Sequence, residues 1–334
     1  MTSPLLSVKN VKKHFDVKRA SIFDKRRTLK AVDDITFDLF PGETLGIVGE
    51  SGCGKSTLAK TIARLYESNS GLITYNNQEL TSFNSKELKT VRRDIQYVFQ
   101  DPYESLNPRH TIQAILEEPF IIHTDLNQSE RQKKVMELLD KVGLPHSSLS
   151  KYPHEFSGGQ RQRIGIARAI ALKPKVLICD EPVSALDVSV QSQIINLLMD
   201  LKDELNLAIL FIAHDLAVVK HISDRIMVMY LGKAVEIADT DQLFEQPSHP
   251  YTQFLIDAIP IPDPRKRGNR RRIEGELPSP ISPPPGCRFQ TRCPYKTDDC
   301  VKSHPNLISI NDSHQAACYH YSEATKHWSN PWNS

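Results

Sequence analysis

The segment at 49–56 combines the residue types that bind phosphate. It follows an apolar run at 44–48 and precedes a helix-forming run that begins with Thr57. Its glycines let the backbone turn N–H groups toward an anion, and the N-terminus of the following helix adds a favourable dipole. The spacing matches the phosphate loop GxxxxGK(S/T) in the strand–loop–helix context that this loop requires. We therefore predict a nucleotide-binding loop formed by Gly49, Glu50, Ser51, Gly52, Cys53, Gly54, Lys55 and Ser56.

Two pairs of side chains predict hydrolysis of the bound nucleotide. Lys55 can reach the β- and γ-phosphates, and the Ser56 hydroxyl can bind Mg²⁺. The apolar run at 176–179 ends in Asp180 and Glu181. We expect Asp180 to complete the Mg²⁺ shell opposite Ser56. We expect Glu181 to polarise a water that attacks the γ-phosphate, a role that contributes about 10²–10⁴-fold in rate.

A second helix start indicates a second anion site. Ser157 is followed three residues later by Gln160, which is the spacing of a capping box. Between them, Gly158 and Gly159 leave the backbone N–H groups of the first turn exposed to an anion. Two phosphate-binding helix ends, far apart in one chain, suggest a nucleotide held between two copies of the protein.

An alternation of strand and helix patterns places these motifs in an α/β fold with a mixed sheet. The almost wholly apolar runs at 45–48, 176–179 and 208–212 predict central strands covered on both faces. Helix patterns without strands at about 101–175 predict a helical subdomain inserted into this core. Strands are predicted at 5–8, 35–39, 44–48, 71–75, 95–99, 176–179, 208–212, 225–229 and 233–237, and helices at 56–66, 111–118, 128–142, 158–172, 188–205 and 251–258.

The composition bears on where the protein is located but says little about which partners it binds. The 334-residue chain has a formal net charge of +2, which favours no particular partner. No apolar segment follows Met1, so we expect no signal peptide. The apolar runs at 207–213 and 226–231 are too short to span a bilayer. We expect a soluble protein, or one that is peripheral to a membrane through other subunits.

The composition changes after about residue 259. Proline-rich stretches at 259–264 and 277–285 make regular structure there unlikely to form. The basic run at 265–272 between them predicts a solvated loop, with contact to anionic lipid or to nucleic acid as alternatives. We predict a linker at 259–285, a cysteine-rich extension at 286–322 and a tail at 323–334.

Four of the six cysteines lie in this extension, at Cys287, Cys293, Cys300 and Cys318. Disulfides are not expected in a reducing compartment. Four thiolates this close suit a tetrahedral metal or an iron–sulfur cluster. The spacing lacks the Cys-x-x-Cys pairs that are usual for structural zinc. From these residues alone, zinc and a cluster both remain open.

Taken in order, the motifs resemble those of ATP-binding-cassette (ABC) proteins. Residues 156–160 are similar to the LSGGQ signature, with Phe156 in place of the leading Leu. The resemblance covers about 5–255 and implies a P-loop NTPase cassette, the nucleotide-binding domain at 1–258, that binds ATP and Mg²⁺. It also implies that two cassettes pair head to tail, with ATP between Lys55 of one copy and Ser157 of the other. The remaining matches are Gln100 to the Q-loop, Ser184-Ala185-Leu186-Asp187 to the D-loop, His214 to the switch histidine, and Phe15, with His14 as the alternative, to the aromatic residue that stacks on adenine.

A narrower resemblance points to the ATPases of oligopeptide and dipeptide importers. It rests on the segments at 100–109, 249–252, 275–280 and 285–294 together with the later cysteines. The resemblance implies a 4Fe–4S cluster in the extension and ATP hydrolysis that powers peptide import. The implied partners are a second, related ATPase chain, two transmembrane permease subunits and a peptide-binding protein, at the cytoplasmic face of a bacterial inner membrane. An importer of nickel, glutathione or another solute, and a soluble cassette ATPase, are alternatives; a nucleic-acid partner is not expected.

Overall fold

The computed structural model describes residues 3–17, 27–260, 275–326 and 328. The basic run predicted as a solvated loop lies outside these residues, as does most of the predicted tail. The chain divides into two compact units. Unit 1 comprises Met1–Leu5, Leu39–Thr44 and Ser82–Ile212, and unit 2 comprises Leu6–Asp38, Leu45–Thr81 and Ala213–Ser334.

Strands and helices alternate along most of the chain. The strands are β1 Leu6–Val17, β2 Arg27–Leu39, β3 Thr44–Val48, β4 Ser70–Tyr75, β5 Gln78–Glu79, β6 Ile95–Val98, β7 Val176–Asp180, β8 Ala208–Ile212, β9 Arg225–Tyr230, β10 Lys233–Asp239, β11 Ile308–Asn311 and β12 His314–Ala316. The helices are α1 Lys55–Ile62, α2 Ser85–Asp94, α3 Pro102–Ser105, α4 Ile112–His123, α5 Gln128–Lys141, α6 Gly158–Ile170, α7 Val188–Leu205, α8 Leu216–Ile222, α9 Thr240–Glu245, α10 Pro250–Asp257, α11 Asp298–Lys302 and α12 Tyr321–Lys326.

Unit 2 carries a mixed sheet. Strand β3 pairs in parallel with β9, with Ile47 opposite Met227. Strands β9 and β10 are antiparallel, and β10 pairs on its other side with β12. All five residues of β3 are buried, which agrees with the apolar pattern that predicted a covered strand. A second sheet, with the strand order β2-β1-β4-β5, completes this unit.

Unit 1 carries a parallel set of strands and a group of helices. Strand β7 pairs in parallel with β6 and with β8, and every residue of β7 and β8 is buried. Helices α3, α4, α5 and α6 follow β6, and the described chain forms no strand between β6 and β7. This agrees with the predicted α/β class, although the boundaries predicted for the domains stay predictions.

The cysteine-rich extension is joined to the mixed sheet of unit 2. Strand β12 pairs with β10, and the His314 ring, which is buried, lies 2.7 Å from a carboxylate oxygen of the fully buried Glu236. The same carboxylate accepts hydrogen bonds from the backbone N–H groups of Ser248 and His249. A buried carboxylate is stable only when its oxygens are hydrogen-bonded, so Glu236 fixes the start of α10 and the extension together.

None of the helices that the structure describes is both long and apolar enough to cross a membrane.

Two glycines offer a matched test of packing. A Cβ on Gly46, in β3, would lie 2.2 Å from Val219 Cγ1 and 2.5 Å from Ser223 Oγ. A Cβ on Gly165, inside α6, would meet no atom within 4 Å. We expect Gly46→Ala to destabilise the fold by about 1–3 kcal/mol through overpacking. We expect Gly165→Ala to stabilise it by about 0.5–1 kcal/mol, because Ala loses less backbone entropy than Gly in a helix.

The measurement is the thermal melting temperature of each variant beside the wild type. Equal melting temperatures for the two variants would contradict the packing described for β3 and α8.

Candidate functional site

The phosphate loop connects β3 to α1 through backbone that only glycine accommodates. Gly49 and Gly54 have φ values of 154° and 106°. A Cβ on Gly49 would lie 2.2 Å from the carbonyl oxygen of Met229, and one on Gly54 would lie 1.9 Å from that of Ala31. No other residue fits at either position, so the glycines predicted from the motif are required by both conformation and space.

The amine of Lys55 points back into this loop. Its side chain is buried, and Nζ donates to the carbonyl oxygens of Gly49, at 2.8 Å, and Glu50, at 3.2 Å. Ser56 and Thr57, both half-buried, follow it in the first turn of α1. The residue that caps α1 is Gly54, which has no side chain to satisfy the first N–H groups. A buried cation and the N-terminus of a helix at one loop form a site for a phosphate group.

The other predicted loop residues differ in exposure. Ser51 and Gly52 are exposed, whereas Cys53 is buried. Burial raises the pKa of the Cys53 thiol, so it stays protonated. Its carbonyl oxygen accepts from the backbone N–H of Gly232. Cys53 thus contributes its backbone to the loop and its side chain to the interior.

The end of β7 holds two carboxylates in different environments. Asp180 is buried, and one of its oxygens accepts from the hydroxyl of Tyr97 at 2.7 Å. Glu181 is half-buried and adopts a left-handed backbone conformation with φ of 47°. One of its oxygens accepts from Nε2 of Gln100 at 3.0 Å. A non-glycine residue in this conformation costs about 1–3 kcal/mol and is typical of functional sites.

The predicted second anion site is a capped helix start. The Ser157 hydroxyl accepts from the N–H of Gln160, and the Gln160 side chain accepts from the N–H of Ser157 at 3.0 Å. Both side chains are exposed. Gly158 and Gly159 also serve packing, because a Cβ on Gly159 would lie 2.4 Å from Val190 Cγ1 of α7. Gly159 is buried and Gly158 is half-buried, so the glycines let α6 approach α7; that they also present N–H groups to an anion stays a prediction.

The segment predicted as the D-loop is anchored at one end and exposed at the other. The hydroxyl and the N–H of Ser184 both donate to the carbonyl oxygen of Glu181. Asp187 is exposed where α7 begins. Ser184 thus hydrogen-bonds the backbone of Glu181, the predicted base, while the Asp187 carboxylate faces solvent.

His214 lies directly after the end of β8. The residue is exposed, and the next one, Asp215, caps α8 by accepting from the N–H of Ala217. The backbone N–H of Ala213 donates to Ile47 of β3. These backbone bonds define the turn in which His214 sits.

The two candidates for stacking on adenine, Phe15 and His14, both have partners in the structure. His14 is already paired through Nε2 with Asp33 at 3.2 Å. Phe15 is half-buried and meets Tyr66 edge to face, with 5.6 Å between the ring centroids. Lys13 Nζ also lies over this ring, 4.8 Å from its centroid. Aromatic rings can stack on bases, and the choice of Phe15 over His14 stays a prediction.

The structure brings Gln100 together with Glu181, and Lys55 together with the loop that it was predicted to serve. The predicted sharing of one Mg²⁺ by Ser56 and Asp180 joins residues of different units and stays a prediction. Sequence reasoning missed Tyr97, which holds Asp180. A signal existed, because Tyr97 lies near the end of β6, and the parallel register places it opposite Ile178, two residues before Asp180.

Two residues that support the phosphate loop were also missed as site residues. The Tyr251 hydroxyl accepts from the backbone N–H of Glu50 at 2.8 Å. Arg292 donates to the side chain of Glu50 through both terminal nitrogens. They lie 201 and 242 residues away from Glu50 along the chain, so no local pattern could have placed them there.

The four cysteines of the extension line one cavity. His249 and Phe289 also border it. Burial raises the pKa of Cys287 to about 11 and those of Cys293 and Cys318 to about 12. Across the part of the chain that the structure describes, no three or more His, Cys, Asp or Glu side chains are arranged to hold a metal ion. The cavity has a free volume of about 10 Å³, about enough for one water, so the thiols would have to turn outward to enclose a cluster.

Two family models match the chain. The ABC transporter model covers residues 32–184, which include the phosphate loop and the helix start at Ser157. The oligopeptide/dipeptide transporter C-terminal region model covers residues 235–300, which include Tyr251, Arg292 and three of the four clustered cysteines. The two models thus cover the phosphate loop, the helix start at Ser157 and the two residues that support the loop.

Similar proteins match along almost the entire chain. The chain is 51% identical over 323 residues to the oligopeptide transport ATP-binding protein AppF of Bacillus subtilis, covering 95% of this chain and 98% of that protein. It is 50% identical over 319 residues to OppF of Escherichia coli, covering 94% and 95%. It is also 50% identical over 319 residues to the dipeptide transport ATP-binding protein DppF of Haemophilus influenzae, covering 95% and 97%. The chain therefore belongs to the ABC transporter ATP-binding family, in its oligopeptide/dipeptide branch.

Solved structures confirm the cassette fold. The dimeric post-hydrolysis structure of the ATP-binding cassette MJ0796, bound to ADP and Pi, is 29% identical with a TM-score of 0.63 and covers 70% of this chain and 98% of that chain. CbiO1 from Clostridium perfringens is 28% identical with a TM-score of 0.62, covering 72% and 90%. The predicted P-loop cassette fold is confirmed, and the chain is an ATPase of this family.

Removing the buried amine should disable the phosphate loop. We expect Lys55→Ala to weaken ATP binding by at least about 10-fold, because a charge-assisted contact to phosphate is worth about 1.5–3 kcal/mol. The measurement is the dissociation constant of a fluorescent ATP analogue. Lys60→Ala, which removes a lysine from the last turn of the same helix, is the control. Unchanged binding in Lys55→Ala would refute the assignment of the loop.

Proposed function

We propose that this chain is the ATP-hydrolysing subunit of a transporter that imports dipeptides or oligopeptides. The observation that carries the proposal is identity of about half over nearly the full length to AppF, OppF and DppF, whose names describe peptide transport. The match includes the C-terminal region that the peptide-transporter model describes. Relatives that shared only the cassette would not extend through this region.

The phosphate loop is the proposed nucleotide site. Lys55 exchanges its carbonyl partners for the β- and γ-phosphates, and Ser56 supplies a hydroxyl to Mg²⁺. The backbone from Gly49 to Thr57, including Ser51, Gly52, Cys53 and Gly54, surrounds the phosphates. Asp180 completes the Mg²⁺ shell and Phe15 stacks on the adenine. Mg²⁺ neutralises charge that develops on the γ-phosphate, and phosphoryl transfer depends mainly on such positioning and charge stabilisation.

Glu181 is the proposed general base. Its hydrogen bond with Gln100 supports a role in which the Q-loop glutamine orients the Glu181 carboxylate. Gln100 is also proposed to sense bound Mg²⁺. His214 is proposed to contact the γ-phosphate. The buried and tyrosine-bonded Asp180 cannot easily turn toward a water, whereas the half-buried Glu181 can, which supports this division of roles.

Two cassettes are proposed to close head to tail on ATP. The helix start formed by Ser157, Gly158, Gly159 and Gln160 would then face the nucleotide of the other copy, with Asp187 crossing the interface. The exposure of Ser157, Gln160 and Asp187 supports this arrangement. The second cassette is proposed to be a related but distinct chain.

The proposed setting is the cytoplasmic face of a bacterial inner membrane. There the chain would be peripheral and bound to two permease subunits that receive peptides from a binding protein. The names of the relatives support a transport role, and the absence of a membrane-crossing helix among the described residues is compatible with it.

The four cysteines of the extension are proposed to hold a 4Fe–4S cluster, with zinc as the alternative. Their shared cavity and the preference of both groups for thiolates support the proposal. A bound group would act as a clip for a segment that buries little apolar surface of its own. Cys287, Cys293, Cys300 and Cys318 would be its ligands.

Replacing the proposed base should separate binding from hydrolysis. We expect Glu181→Gln to bind ATP but to lose at least about 100-fold in turnover, the lower end of what a positioned base contributes. In a deletion strain, this variant should not restore uptake of labelled peptides, whereas the wild type should. Asp200→Asn, which changes an exposed acid on α7, is the control.

Normal turnover in Glu181→Gln would remove Glu181 from its role. Unimpaired peptide uptake in the deletion strain itself would contradict the proposed cargo.

Metal analysis of anaerobically purified protein tests the proposed cluster. We expect about four irons and four sulfides per chain and a broad visible absorption. About one zinc per chain would replace the cluster with a structural zinc. Finding neither metal would refute a bound group, and a cysteine-to-serine variant at Cys300 controls for adventitious iron.

A further inference from the structure

Arg292 of the cysteine-rich extension forms an ion pair with Glu50 of the phosphate loop. Arg292 donates from Nη1 to Oε2 of Glu50 at 2.9 Å and from Nη2 to Oε1 at 3.0 Å. The Arg292 side chain is 8% exposed and that of Glu50 is 27% exposed. A bidentate pair that is largely shielded from water is strong and fixes the orientation of both groups.

Glu50 is held at its backbone as well. Its N–H donates to the Tyr251 hydroxyl at 2.8 Å. Its carbonyl oxygen accepts from Nζ of Lys55 and from the N–H of Cys53, each at 3.2 Å. The one residue that is bound by the extension therefore also helps to hold the phosphate-binding lysine.

A buried aromatic cluster keeps these donors and acceptors in place. The rings of Tyr230 and Tyr251 are 4.7 Å apart, and Phe289 of the extension lies within 5.4 Å of both. Arg292 also donates to the hydroxyl of Tyr230 at 3.3 Å. Buried aromatic rings have few alternative positions, so Arg292 meets Glu50 in one defined geometry.

A second arginine of the extension is connected to the phosphate loop indirectly, at Cys53. Arg288 donates to the carbonyl oxygen of Leu231 and forms an ion pair with Asp33. The next residue, Gly232, donates its N–H to the carbonyl oxygen of Cys53 at 2.8 Å. Two connections thus run from the extension to the loop, and the one through Arg292 reaches it directly.

The charge of Glu50 explains why this pairing matters for the nucleotide. Glu50 is the second residue of a loop that we propose surrounds a triphosphate, so its carboxylate lies close to several negative charges. An unpaired carboxylate there would repel the phosphates, and the repulsion is strong where water is partly excluded. The guanidinium of Arg292 neutralises that carboxylate and holds it in a fixed orientation.

We propose that Arg292 is a positioning residue for ATP binding, which acts by neutralising and orienting Glu50 in the phosphate loop. The inference rests on the proposed placement of ATP at this loop. On this proposal the extension contributes to ATP binding although it forms no part of the phosphate loop. Removing the Arg292 side chain would then change the affinity of the loop for ATP.

A double-mutant cycle tests this proposal. The variants are Arg292→Ala, Arg292→Lys, Glu50→Gln and the double variant Glu50→Gln/Arg292→Ala. The control is Lys302→Ala, which removes an exposed lysine of the extension that pairs with Asp299. The measurements are the dissociation constant of a fluorescent ATP analogue, the KM and kcat for ATP, the melting temperature and the metal content.

We expect Arg292→Ala to weaken analogue binding roughly 10-fold, the effect of losing one charge-assisted interaction. KM should rise more than kcat falls, and Arg292→Lys should recover part of the affinity. Glu50→Gln alone should weaken binding less than Arg292→Ala does, because it leaves no unpaired carboxylate beside the phosphates. The double variant should bind the analogue more tightly than Arg292→Ala does, because the unpaired carboxylate is gone.

Two results would overturn the proposal. One is that Arg292→Ala binds the analogue as well as Lys302→Ala does. The other is that the double variant binds as weakly as Arg292→Ala, which would assign Arg292 a purely structural role. If Arg292→Ala fails to fold, Arg292→Lys and the double variant decide in the same way. Lys55→Ala distinguishes failure of the proposed nucleotide site from failure of the role of Arg292. If Lys55→Ala binds the analogue normally, the proposed nucleotide site is wrong. If Lys55→Ala loses binding and Arg292→Ala does not, only the role of Arg292 is wrong.

Discussion

The close approach of backbone to backbone around the phosphate loop is the constraint on which the site depends. Gly49 and Gly54 lie so near the carbonyl oxygens of Met229 and Ala31 that no side chain fits. Those carbonyls belong to β9 and β2, so neighbouring strands fix both ends of the turn before any ligand arrives. A loop fixed in this way presents its donors without further ordering, and preorganised donors bind a charged group at a lower entropic cost.

The two carboxylates at the end of β7 are also positioned by the backbone. Adjacent residues in one chain acquire different environments because one side chain points into the protein and the next emerges through a left-handed turn. Tyr97 holds the buried acid, and Gln100 holds the emerging one. Tyr97 lies in β6, which pairs in parallel with β7, and Gln100 follows two residues after the end of β6. Ends of parallel strands meet at one edge of a sheet, which is why such an edge accommodates a reactive centre.

The sequence-based predictions succeeded where burial produces a continuous apolar run or a helical period in the sequence. Strands β3 and β8 and helix α7 were predicted with the bounds that the structure has. Helix α2 was missed because Val91 is its one buried residue, and α8 and α9 are too short to show a helical period. The motifs identified Lys55 and the residues around it, but not the distant Tyr251 and Arg292. Contacts that join remote segments depend on the whole fold and leave no local pattern.

The partnership between Arg292 and Glu50 also dictates when the loop can be completed. The two residues are separated by 242 positions, and a ribosome adds about 5–20 residues per second. For at least about 12 s of synthesis, the nascent chain therefore contains the phosphate loop but not the arginine that steadies it. Non-local contacts of this kind form late in folding. A truncated chain that lacks the extension would thus leave the ribosome with its nucleotide motifs complete in sequence but with Glu50 unpaired.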